Sequence, residues 1–431
     1  MDIKMSEKKN QKVCVIGLGY VGFPLAVLCS IKGYEVYGYD KDEKKLARIE
    51  KGENIVEEEY LEEYLPKTKI NIIRDMAAAK DCDIFIIAVP TPVDEKHYPD
   101  LSFVISAAVS VAKNMQKGAL VIVESTINPG VCEEFVKPVF EKEGYEIGKD
   151  VYISHCPERI NPGDSKWNVM NIPRVVGSFD ENGLEMSVQF YKSILDSEIM
   201  PMKTIREAEA AKIIENSFRD INIAFVNELA KSFDLMGIDI MNVIRGAATK
   251  PFAFMPHWPS CGVGGHCIPV DPYYLIEKAK ENEFDHRFLR TARAINNSMP
   301  LYTVELLQDA LNMIERPFKN TNIGVLGISY KANVGDLRES PALKIIELLE
   351  AREAKVHIYD PYVQSKSTVK SLDEILERSD AIVITANHDE FVSMSVEKLK
   401  EKKVEVIIDG KNCLDKDKIR KLGIIYRGIG R

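Results

Sequence analysis

The sequence predicts an α/β protein with two Rossmann-like doubly wound domains, joined by a long central helix and a helical middle domain. Near both ends of the chain, short runs rich in β-branched residues alternate with helical stretches, which indicates parallel sheets covered by helices. Between them, apolar residues recur at helical spacing. The 431 residues exceed what one hydrophobic core usually supports, so two or three domains are expected.

The first domain is expected to span residues 11–203. The runs VCVIG, EVYGY, DIFIIAV and ALVIV alternate with longer helical stretches up to about residue 126, which is typical of a parallel sheet. Strand-like runs at 151–154 and 174–177 are expected to extend the same sheet, and a helix is expected over 182–195.

The middle domain is expected to span residues 204–316. Residues 205–236 form one helical pattern without proline or glycine, and Gly237 follows it, so this segment is a candidate domain connector. Helical periodicity resumes in three shorter segments, at 239–247, 271–282 and 286–314. The loop at 249–270 is rich in proline, glycine and aromatic residues, and its length indicates a functional role.

The third domain is expected to span residues 317–431. Strand-like runs (NIGVLGI, KVHIYD, AIVITA, VEVIID and GIIYRG) return here, with helices predicted over 341–352 and near 371–377. This pattern predicts a second, smaller Rossmann-like domain. No repeat of fixed period relates the two α/β regions.

Charge and cysteine content exclude several classes of protein. The net charge is −9 and no long basic run occurs, so a nucleic-acid partner is not expected. The eight cysteines form no C-x-x-C pairs, which indicates reduced thiols in a cytoplasmic protein. The first ten residues lack a signal-peptide core and the apolar runs are strand-sized, so neither export nor membrane insertion is expected.

A glycine-rich turn comes directly after the first predicted strand. Gly17 would permit the tight turn, Gly19 would let the backbone approach a pyrophosphate, and Gly22 would allow close helix packing. Asp40 ends the next strand, where it can accept hydrogen bonds from the adenosine ribose and repel a 2′-phosphate. The pattern therefore predicts NAD rather than NADP. FAD, and a glycine turn without a ligand, are the alternatives.

Two further strand ends carry threonines, Thr91 in VPTPV and Thr126 in ESTINPG. Both are expected at the carboxyl edge of the sheet, where open α/β sheets bind ligands. The alternative is that the neighbouring prolines only end the strands and that each threonine caps the next segment of the chain.

Cys267 lies in the loop CGVGGHCIPVDP, whose glycines leave little side-chain cover, so its thiol is a candidate nucleophile. The alternative is a small buried apolar residue. Cys261 and His266 lie nearby, but no second pair of nitrogen or sulfur ligands occurs at usable spacing, so a metal is not expected.

The long helix carries a polar stripe. Lys212 and Asn216 lie one turn apart, and the stripe continues through Arg219, Asp220 and Asn227. A desolvated lysine can act as a base or hold an oxyanion, and an amide can donate to it. The alternative is a solvent-facing stripe stabilised by a Glu215–Arg219 pair.

Seven segments occur in order along the chain: GLGYVG, VPTP, ESTINPG, CPERINPGD, AAKIIENSFRDINIAFVNE, GVGGHCIPVDP and GISYKANVGDLRESPA. Together they resemble the UDP-glucose/UDP-mannuronate dehydrogenase family over nearly all of residues 12–431. The resemblance implies oxidation of C6 of a UDP-sugar from alcohol to carboxylate with two NAD. It also implies that the thiolate of Cys267 captures the aldehyde as a thiohemiacetal, which is then oxidised to a thioester and hydrolysed.

The same resemblance assigns roles to the other catalytic positions. Lys212 is the acid/base or oxyanion stabiliser, and Asn216 donates to the developing alkoxide. Asp271 and Thr126 position water and protons, and Glu158 assists thioester hydrolysis.

The family's NAD positions match Gly17, Gly19, Tyr20, Val21, Gly22, Asp40, Lys45, Thr91 and Thr126. Lys45 stands where arginine is common, which keeps the charge but loses the planar fork. Arg338 is expected to reach NAD across a dimer interface, and a homodimer or higher homo-oligomer through the long helix is expected.

The family's substrate positions match Arg159, Ile160, Lys212, Asn216, Arg219, Lys250, Phe252, Gly264, Tyr330, Lys331 and Lys411. By resemblance, the uridine diphosphate lies between the middle and C-terminal domains. Lys411 stands where arginine is usual, which puts a bidentate contact in doubt.

The loop GAATKPFAFMPHWPSCGVGGHC resembles the UDP-N-acetylhexosamine 6-dehydrogenase subgroup, in which K-P-F favours the glucosamine or galactosamine epimer and H-P-R the mannosamine epimer. UDP-N-acetylglucosamine is the favoured substrate, with the mannosamine and galactosamine epimers and UDP-glucose as alternatives. Trp258 and Cys261 depart from the subgroup pattern F-Y-P-G-P, which leaves the epimer open.

Two other functions compete with this interpretation. A two-electron hydroxyacid dehydrogenase of the 6-phosphogluconate type shares a Rossmann domain joined to a long helix, but it needs no cysteine nucleophile. A non-catalytic nucleotide or redox sensor would keep the fold and lose the reaction.

Overall fold

The computed structural model describes residues 11–56, 58–94, 98–160 and 166–431. It divides into two compact units. The first runs to Glu215 and includes Tyr273–Asn282, and the second comprises Asn216–Pro272 and Glu283–Arg431. The end of the motif CPERINPGD, from residue 161, lies outside the described residues. The three predicted domain ranges stay a prediction.

The first unit contains an eight-stranded sheet. Its strands are β1 (Lys12–Ile16), β2 (Glu35–Tyr39), β3 (Ile70–Ile73), β4 (Ile84–Ile87), β5 (Ala119–Val123), β6 (Val151–His155), β7 (Arg174–Ser178) and β8 (Ile199–Pro201). Their spatial order is β3-β2-β1-β4-β5-β6-β7-β8. β6 and β7 pair antiparallel, and the other neighbours pair parallel.

Helices cover both faces of this sheet. They are α1 (Gly22–Ile31), α2 (Glu43–Glu50), α3 (Ser102–Asn114), α4 (Lys137–Lys142), which a π-helical turn precedes, and α5 (Glu181–Ile194). Val13 and Val15 of β1 pack in one apolar cluster with α1 and α5, while Cys14 and Ile16 pack in another with α3 and α4. This alternation arises from the twofold period of a strand, and it makes the unit doubly wound.

The second unit contains a five-stranded parallel sheet. Its strands are β9 (Asn322–Leu326), β10 (Lys355–Tyr359), β11 (Ala381–Ile384), β12 (Val406–Asp409) and β13 (Ile425–Gly428). The spatial order is β10-β9-β11-β12-β13. Separate apolar clusters cover its two faces.

The remaining helices are α6 (Ile205–Leu235), α7 (Ile240–Ala247), α8 (Asp271–Glu281), α9 (Arg287–Asn312), α10 (Pro341–Glu350), α11 (Leu372–Arg378), α12 (Asp389–Val392), α13 (Val396–Glu401) and α14 (Lys416–Lys421). The division between the two units falls within α6 and α8. None of the helices in the described ranges is long and apolar enough to cross a membrane.

The predicted fold class is confirmed, with parallel sheets near both ends and helices between them. The antiparallel pairing of β6 with β7 was not predicted, because the sequence pattern gives no strand direction. It matters for the site, since it brings Arg174 at the start of β7 near the segment after β6.

Candidate active site

The turn after β1 has the geometry that its glycines predict. Gly17 has a φ of +92°, and a Cβ on it would lie 2.5 Å from the carbonyl oxygen of Ala88. A Cβ on Gly22 would lie 1.9 Å from the carbonyl oxygen of Gly17, whereas a Cβ on Gly19 would meet nothing within 4 Å. Packing therefore requires Gly17 and Gly22, while Gly19 borders open space of the kind that a pyrophosphate needs.

Helix α1 begins at this turn without side-chain caps. Val21 occupies the N-cap position but makes no side-chain hydrogen bond, and the first turn contains no acidic residue. Neighbouring Tyr20 is partly exposed, at 37%. A helix N-terminus that no side chain neutralises favours an anion, so this end of α1 suits the phosphates of NAD.

Asp40 comes directly after β2 and faces the same turn. Its Oδ2 accepts hydrogen bonds from the Leu18 N–H at 2.8 Å and from Lys45 Nζ at 2.7 Å. Burial opposes ionisation, but these donors and the Asp42 N–H hold the pKa of Asp40 below its ordinary value. Asp40 is therefore a fixed anion at the strand end where a ribose would bind, and Lys45 is its partner.

The two predicted threonines lie after β4 and β5, and both are partly buried. Ser125 Oγ donates to the carbonyl oxygen of Val89 at 2.7 Å, which ties these strand ends together. The hydroxyl of Tyr274 donates to the Thr91 carbonyl oxygen. The ends of β4 and β5 are thus held by hydrogen bonds through neighbouring side chains.

A buried glutamate, which the sequence analysis did not single out, holds the turn after Thr126 through hydrogen bonds. Glu209 of α6 is buried, and its carboxylate accepts the Gly130 N–H at 2.5 Å and the Cys132 N–H at 2.9 Å. Burial raises the pKa of Glu209, and these hydrogen bonds oppose the rise. The sequence alone does not distinguish Glu209 from the other acidic residues of the same helical pattern, so its role could not be predicted.

Glu158, Arg159 and Ile160 lie in the segment after β6. Glu158 Oε1 accepts the backbone N–H of Arg159 at 2.6 Å and that of Ile160 at 2.8 Å. The Arg159 guanidinium pairs with Glu215 at 2.6 Å. Glu215 therefore pairs with Arg159, and not with Arg219 as in the alternative of a solvent-facing stripe.

The polar stripe of α6 is largely buried. Lys212, Asn216, Asp220 and Asn227 have side chains that are at least nine-tenths buried, while Arg219 is exposed. The alternative of a solvent-facing stripe is therefore wrong at four of the five positions. Arg219 shares this face of the helix by its spacing but is exposed.

In the second unit, Cys267 lies in a turn that leads into α8. Its carbonyl oxygen accepts the Val270 N–H at 3.0 Å and the Asp271 N–H at 2.8 Å. Asp271 begins α8, and its Oδ2 accepts a hydrogen bond from Asn216 Nδ2 at 2.5 Å. Three of the predicted catalytic residues, Cys267, Asp271 and Asn216, are thus joined through consecutive hydrogen bonds.

The glycines before Cys267 pack against the segment that carries Tyr330, Lys331 and Arg338. The Gly265 N–H donates to the Arg338 carbonyl oxygen at 2.9 Å. A Cβ on Gly264 would lie 2.7 Å from Tyr330 Cβ, and one on Gly265 would lie 2.8 Å from the Tyr330 ring. Only glycine allows this close approach.

Arg338 provides positive charge near the thiol. Its Nε lies 3.1 Å from Asp336 Oδ1, and this hydrogen bond raises the pKa of Arg338, with smaller contributions from Asp336 charge, Tyr330 and Cys267. A guanidinium that interacts electrostatically with Cys267 favours the thiolate form of that residue.

Asp360 anchors the start of the same segment. It is fully buried, and its Oδ2 accepts the Ile328 N–H at 2.8 Å and the Ser329 N–H at 2.9 Å. His388 Nε2 lies 3.2 Å from the same oxygen. Burial opposes ionisation, but His388 and Ser329 lower the pKa of Asp360. Asp360 lies after β10 as Asp40 lies after β2, but Asp360 is fully buried and its contacts are within the protein.

Cys261 is a structural residue. Its N–H donates to the Gly410 carbonyl oxygen at 2.8 Å, and its buried thiol lies 3.7 Å from the Thr385 carbonyl oxygen. Burial raises the pKa of this thiol, and the charge of partly buried Lys411 opposes the rise. In the described ranges, no three potential metal-ligating side chains are grouped together.

Lys250 and Phe252 lie in the exposed loop after α7. The ammonium of Lys250 lies 4.9 Å from the centre of the Phe252 ring, and Phe252 is 68% exposed. This cation–π pair is available to a ligand or to another chain.

Comparison with known families gives three matches in order along the chain. Models of the UDP-glucose/GDP-mannose dehydrogenase family match its NAD binding domain over residues 11–195, its central domain over 206–298 and its UDP binding domain over 324–416.

Individual relatives match almost the whole chain. A UDP-N-acetyl-D-mannosamine dehydrogenase of Pyrococcus horikoshii is 38% identical over 97% of this chain and 99% of its own. A UDP-N-acetyl-D-glucosamine 6-dehydrogenase of Pseudomonas aeruginosa is 35% identical over 95% of this chain and 99% of its own. The solved structure of a UDP-D-ManNAc dehydrogenase from Pyrococcus horikoshii superposes with a TM-score of 0.91, at 37% identity, over 98% of this chain and 99% of its own.

Proposed function

The chain belongs to the UDP-glucose/GDP-mannose dehydrogenase family, and on that premise we propose that it oxidises C6 of a UDP-N-acetylhexosamine from alcohol to carboxylate. It is an NAD-dependent UDP-sugar dehydrogenase, and the recognition of this family and of its UDP-N-acetylhexosamine subgroup from sequence motifs is confirmed. The observation that most supports the proposed chemistry is the hydrogen-bonded series of Cys267, Asp271 and Asn216.

The residues of the first unit that would hold NAD are those of the glycine turn and Asp40. The open space beside Gly19 admits the pyrophosphate, the N-terminus of α1 faces it, and Asp40 accepts the ribose hydroxyls. NAD, when bound, accepts a hydride in each of the two oxidations.

Cys267 supplies the covalent step. Its thiolate adds to C6 of the aldehyde formed by the first oxidation, and the second oxidation converts this thiohemiacetal into a thioester. Water then attacks C6, the C–S bond breaks with its electron pair returning to sulfur, and the carboxylate leaves. Covalent capture keeps the reactive aldehyde from escaping, and Arg338 favours the thiolate.

The polar side chains of the proposed site each have a different role in proton transfer or in hydrogen bonding to the substrate. Lys212, buried on α6, removes the proton of the C6 hydroxyl and stabilises the oxyanion. Asn216 donates to the same oxygen, with its amide oriented by Asp271. Thr126 assists in positioning water, and Glu158 accepts a proton from the water that hydrolyses the thioester.

Two epimers are candidates for the sugar. The relative at 38% identity acts on the mannosamine epimer, whereas Lys250 and Phe252 belong to the K-P-F pattern that favours the glucosamine epimer. We propose the mannosamine epimer first. Similarity over the whole chain includes more of the residues that could form the site than the K-P-F pattern of one exposed loop does. The glucosamine epimer is the second candidate.

A substrate panel tests this proposal. UDP-N-acetylmannosamine, UDP-N-acetylglucosamine, UDP-N-acetylgalactosamine and UDP-glucose are each supplied with NAD, and kcat/KM is measured from NADH absorbance. The three acetamido sugars are expected to exceed UDP-glucose, with the mannosamine epimer highest and a uronic acid identified by mass spectrometry. Absence of turnover with every acetamido sugar would overturn the proposal.

We also propose a homodimer formed through α6. Phe218 and Phe225 are spaced seven residues apart on this helix, and each leaves about half of its side chain exposed, at 46% and 53%. Apolar residues exposed at this spacing are typical of a helix that packs against a partner. Light scattering should give a dimer for the natural protein and a monomer for Phe218→Glu/Phe225→Glu.

A further inference from the structure

The first unit contains a fully buried guanidinium that the proposed chemistry does not use. Arg174, at the start of β7, is 0% exposed. One terminal nitrogen contacts Glu158 Oε2, and the other lies 3.6 Å from Glu124 Oε2. A buried charge is costly unless it is paired, so this arginine and its two carboxylates form a single unit.

Glu158 is held from two sides. Its Oε1 accepts the two backbone N–H groups of Arg159 and Ile160, and its Oε2 faces Arg174. Because Oε1 is held by two hydrogen bonds and Oε2 by the ion pair with Arg174, the plane of the carboxylate is fixed. The backbone donors alone would leave Oε2 free to turn, so Arg174 sets the direction of that oxygen.

Glu124, at the end of β5, holds Arg174 from the opposite side. The hydroxyl of Tyr191, on α5, donates to Glu124 Oε1. Burial raises the pKa of Glu124 to about 7, with Arg174 opposing the rise and Glu158 adding to it. Near neutral pH, Glu124 therefore changes between its protonated, neutral form and its anionic form. The anion is the form that pairs with the charge of Arg174.

Three further buried groups that interact with this cluster are uncharged. Cys156 lies after β6, Cys29 lies on α1 and Tyr60 lies before β3, and burial raises the pKa of all three. Among the groups that influence the pKa of Glu124, Arg174 is the one cation in the described part of the chain. Glu158 and Glu124 therefore compete for one guanidinium.

We propose that Arg174, braced by Glu124 and Tyr191, is a positioning residue that aims the Glu158 carboxylate for hydrolysis of the thioester. The inference rests on the proposed function. In this step a water O–C6 bond forms, one water proton passes to Glu158, and the C–S bond breaks to release the Cys267 thiolate. The second proton leaves with ionisation of the product acid.

The test measures the covalent intermediate directly. The protein is mixed with UDP-N-acetylhexosamine and saturating NAD, the reaction is quenched, and the mass of the intact protein is measured by mass spectrometry. Steady-state kcat and KM are measured in parallel. Arg174→Lys keeps the charge but loses the second donor arm. It is expected to lower kcat by about tenfold or more, to lower the sugar KM along with it because hydrolysis then limits turnover, and to accumulate sugar bound at Cys267.

Two further variants keep the test decisive if an Arg174 variant folds poorly. Glu124→Gln mimics the protonated carboxyl that the natural protein already contains near pH 7, so it is expected to fold. It should remove the inflection near pH 7 from the pH profile of thioester hydrolysis. Arg206→Lys is the matched control, because Arg206 pairs with Glu133 on the surface of the same unit, and its activity should be unchanged.

The outcomes separate this inference from the proposed function. If the natural protein forms no uronic acid, the proposed function fails. If it forms acid and Glu158→Gln accumulates the adduct, but folded Arg174→Lys turns over normally or slows without adduct, the positioning role of Arg174 is overturned. An unchanged pH profile in Glu124→Gln would overturn the bracing role of Glu124.

Discussion

Arg293→Met should destabilise the second compact unit strongly, because it leaves a buried aspartate without its cation. Arg293 lies 2.6 Å from Asp220 Oδ1, and both side chains are almost fully buried, at 5% and 0% exposed. Asn296 also donates to Asp220, at 2.8 Å. Burial raises the pKa of Asp220 even in the natural protein, and Arg293 opposes that rise.

The magnitude depends on how Asp220 responds once Arg293 is absent. Removing one partner of a buried ion pair costs about 3–5 kcal/mol. The carboxylate can instead take a proton, which costs about 4 kcal/mol at pH 7 and about 1.5 kcal/mol at pH 5 for an aspartate with an ordinary pKa of about 3.9. Since the folded pKa is raised, stability falls as pH rises. The loss should therefore be about 4 kcal/mol at pH 7 and smaller at pH 5.

The assay uses the position of the two tryptophans. Trp167 lies in the first unit and Trp258 in the second, so a Trp167→Phe background makes Trp258 fluorescence a reporter of the second unit. Urea unfolding at both pH values gives the free energy of unfolding. Arg290→Met is the matched control on the same helix, since Arg290 pairs with Asp285 at the surface and should cost at most about 1 kcal/mol. Equal losses in the two variants, or a loss that grows at pH 5, would refute the reasoning.

Three further predictions concern the site. Cys267→Ser should abolish acid formation without changing NAD binding, whereas Cys413→Ser should remain active; normal turnover of Cys267→Ser would exclude covalent catalysis. Gly19→Ala should weaken NAD binding with little change in Tm, while Gly22→Ala should lower Tm, because a Cβ at Gly22 collides with backbone; calorimetry showing the reverse would contradict this. Asp40→Asn should lower the NAD-to-NADP ratio of kcat/KM about tenfold or more, since it loses a charged acceptor; an unchanged ratio argues against a ribose contact.

Local patterns made most of the fold predictable. The glycine turn with Asp40, the helix at Ile205–Leu235 and the strand runs near both ends each depend on residues close in sequence. The loop around Cys267 could also be singled out, because glycines concentrated near one thiol stand out in any context. The catalytic and binding roles of these residues stay predictions.

The buried charge clusters could not be predicted. Glu124, Glu158, Arg174 and Tyr191 come from four separate elements, and only the order of β5, β6 and β7, with its antiparallel pair, brings them together. Helical periodicity showed that Asp220 shares a stripe with other polar residues of α6, but it did not show that the stripe is buried. Burial depends on the elements that pack against a helix, which its own sequence does not contain.

The most direct measurement counts NADH against sugar. A limiting, weighed amount of UDP-N-acetylmannosamine is oxidised to completion with excess NAD, and the product is assigned by NMR. Two NADH per sugar, with a C6 carboxylate, is the predicted result. One NADH per sugar, with the reaction ending at an aldehyde or a ketone, would contradict oxidation through a cysteine thioester.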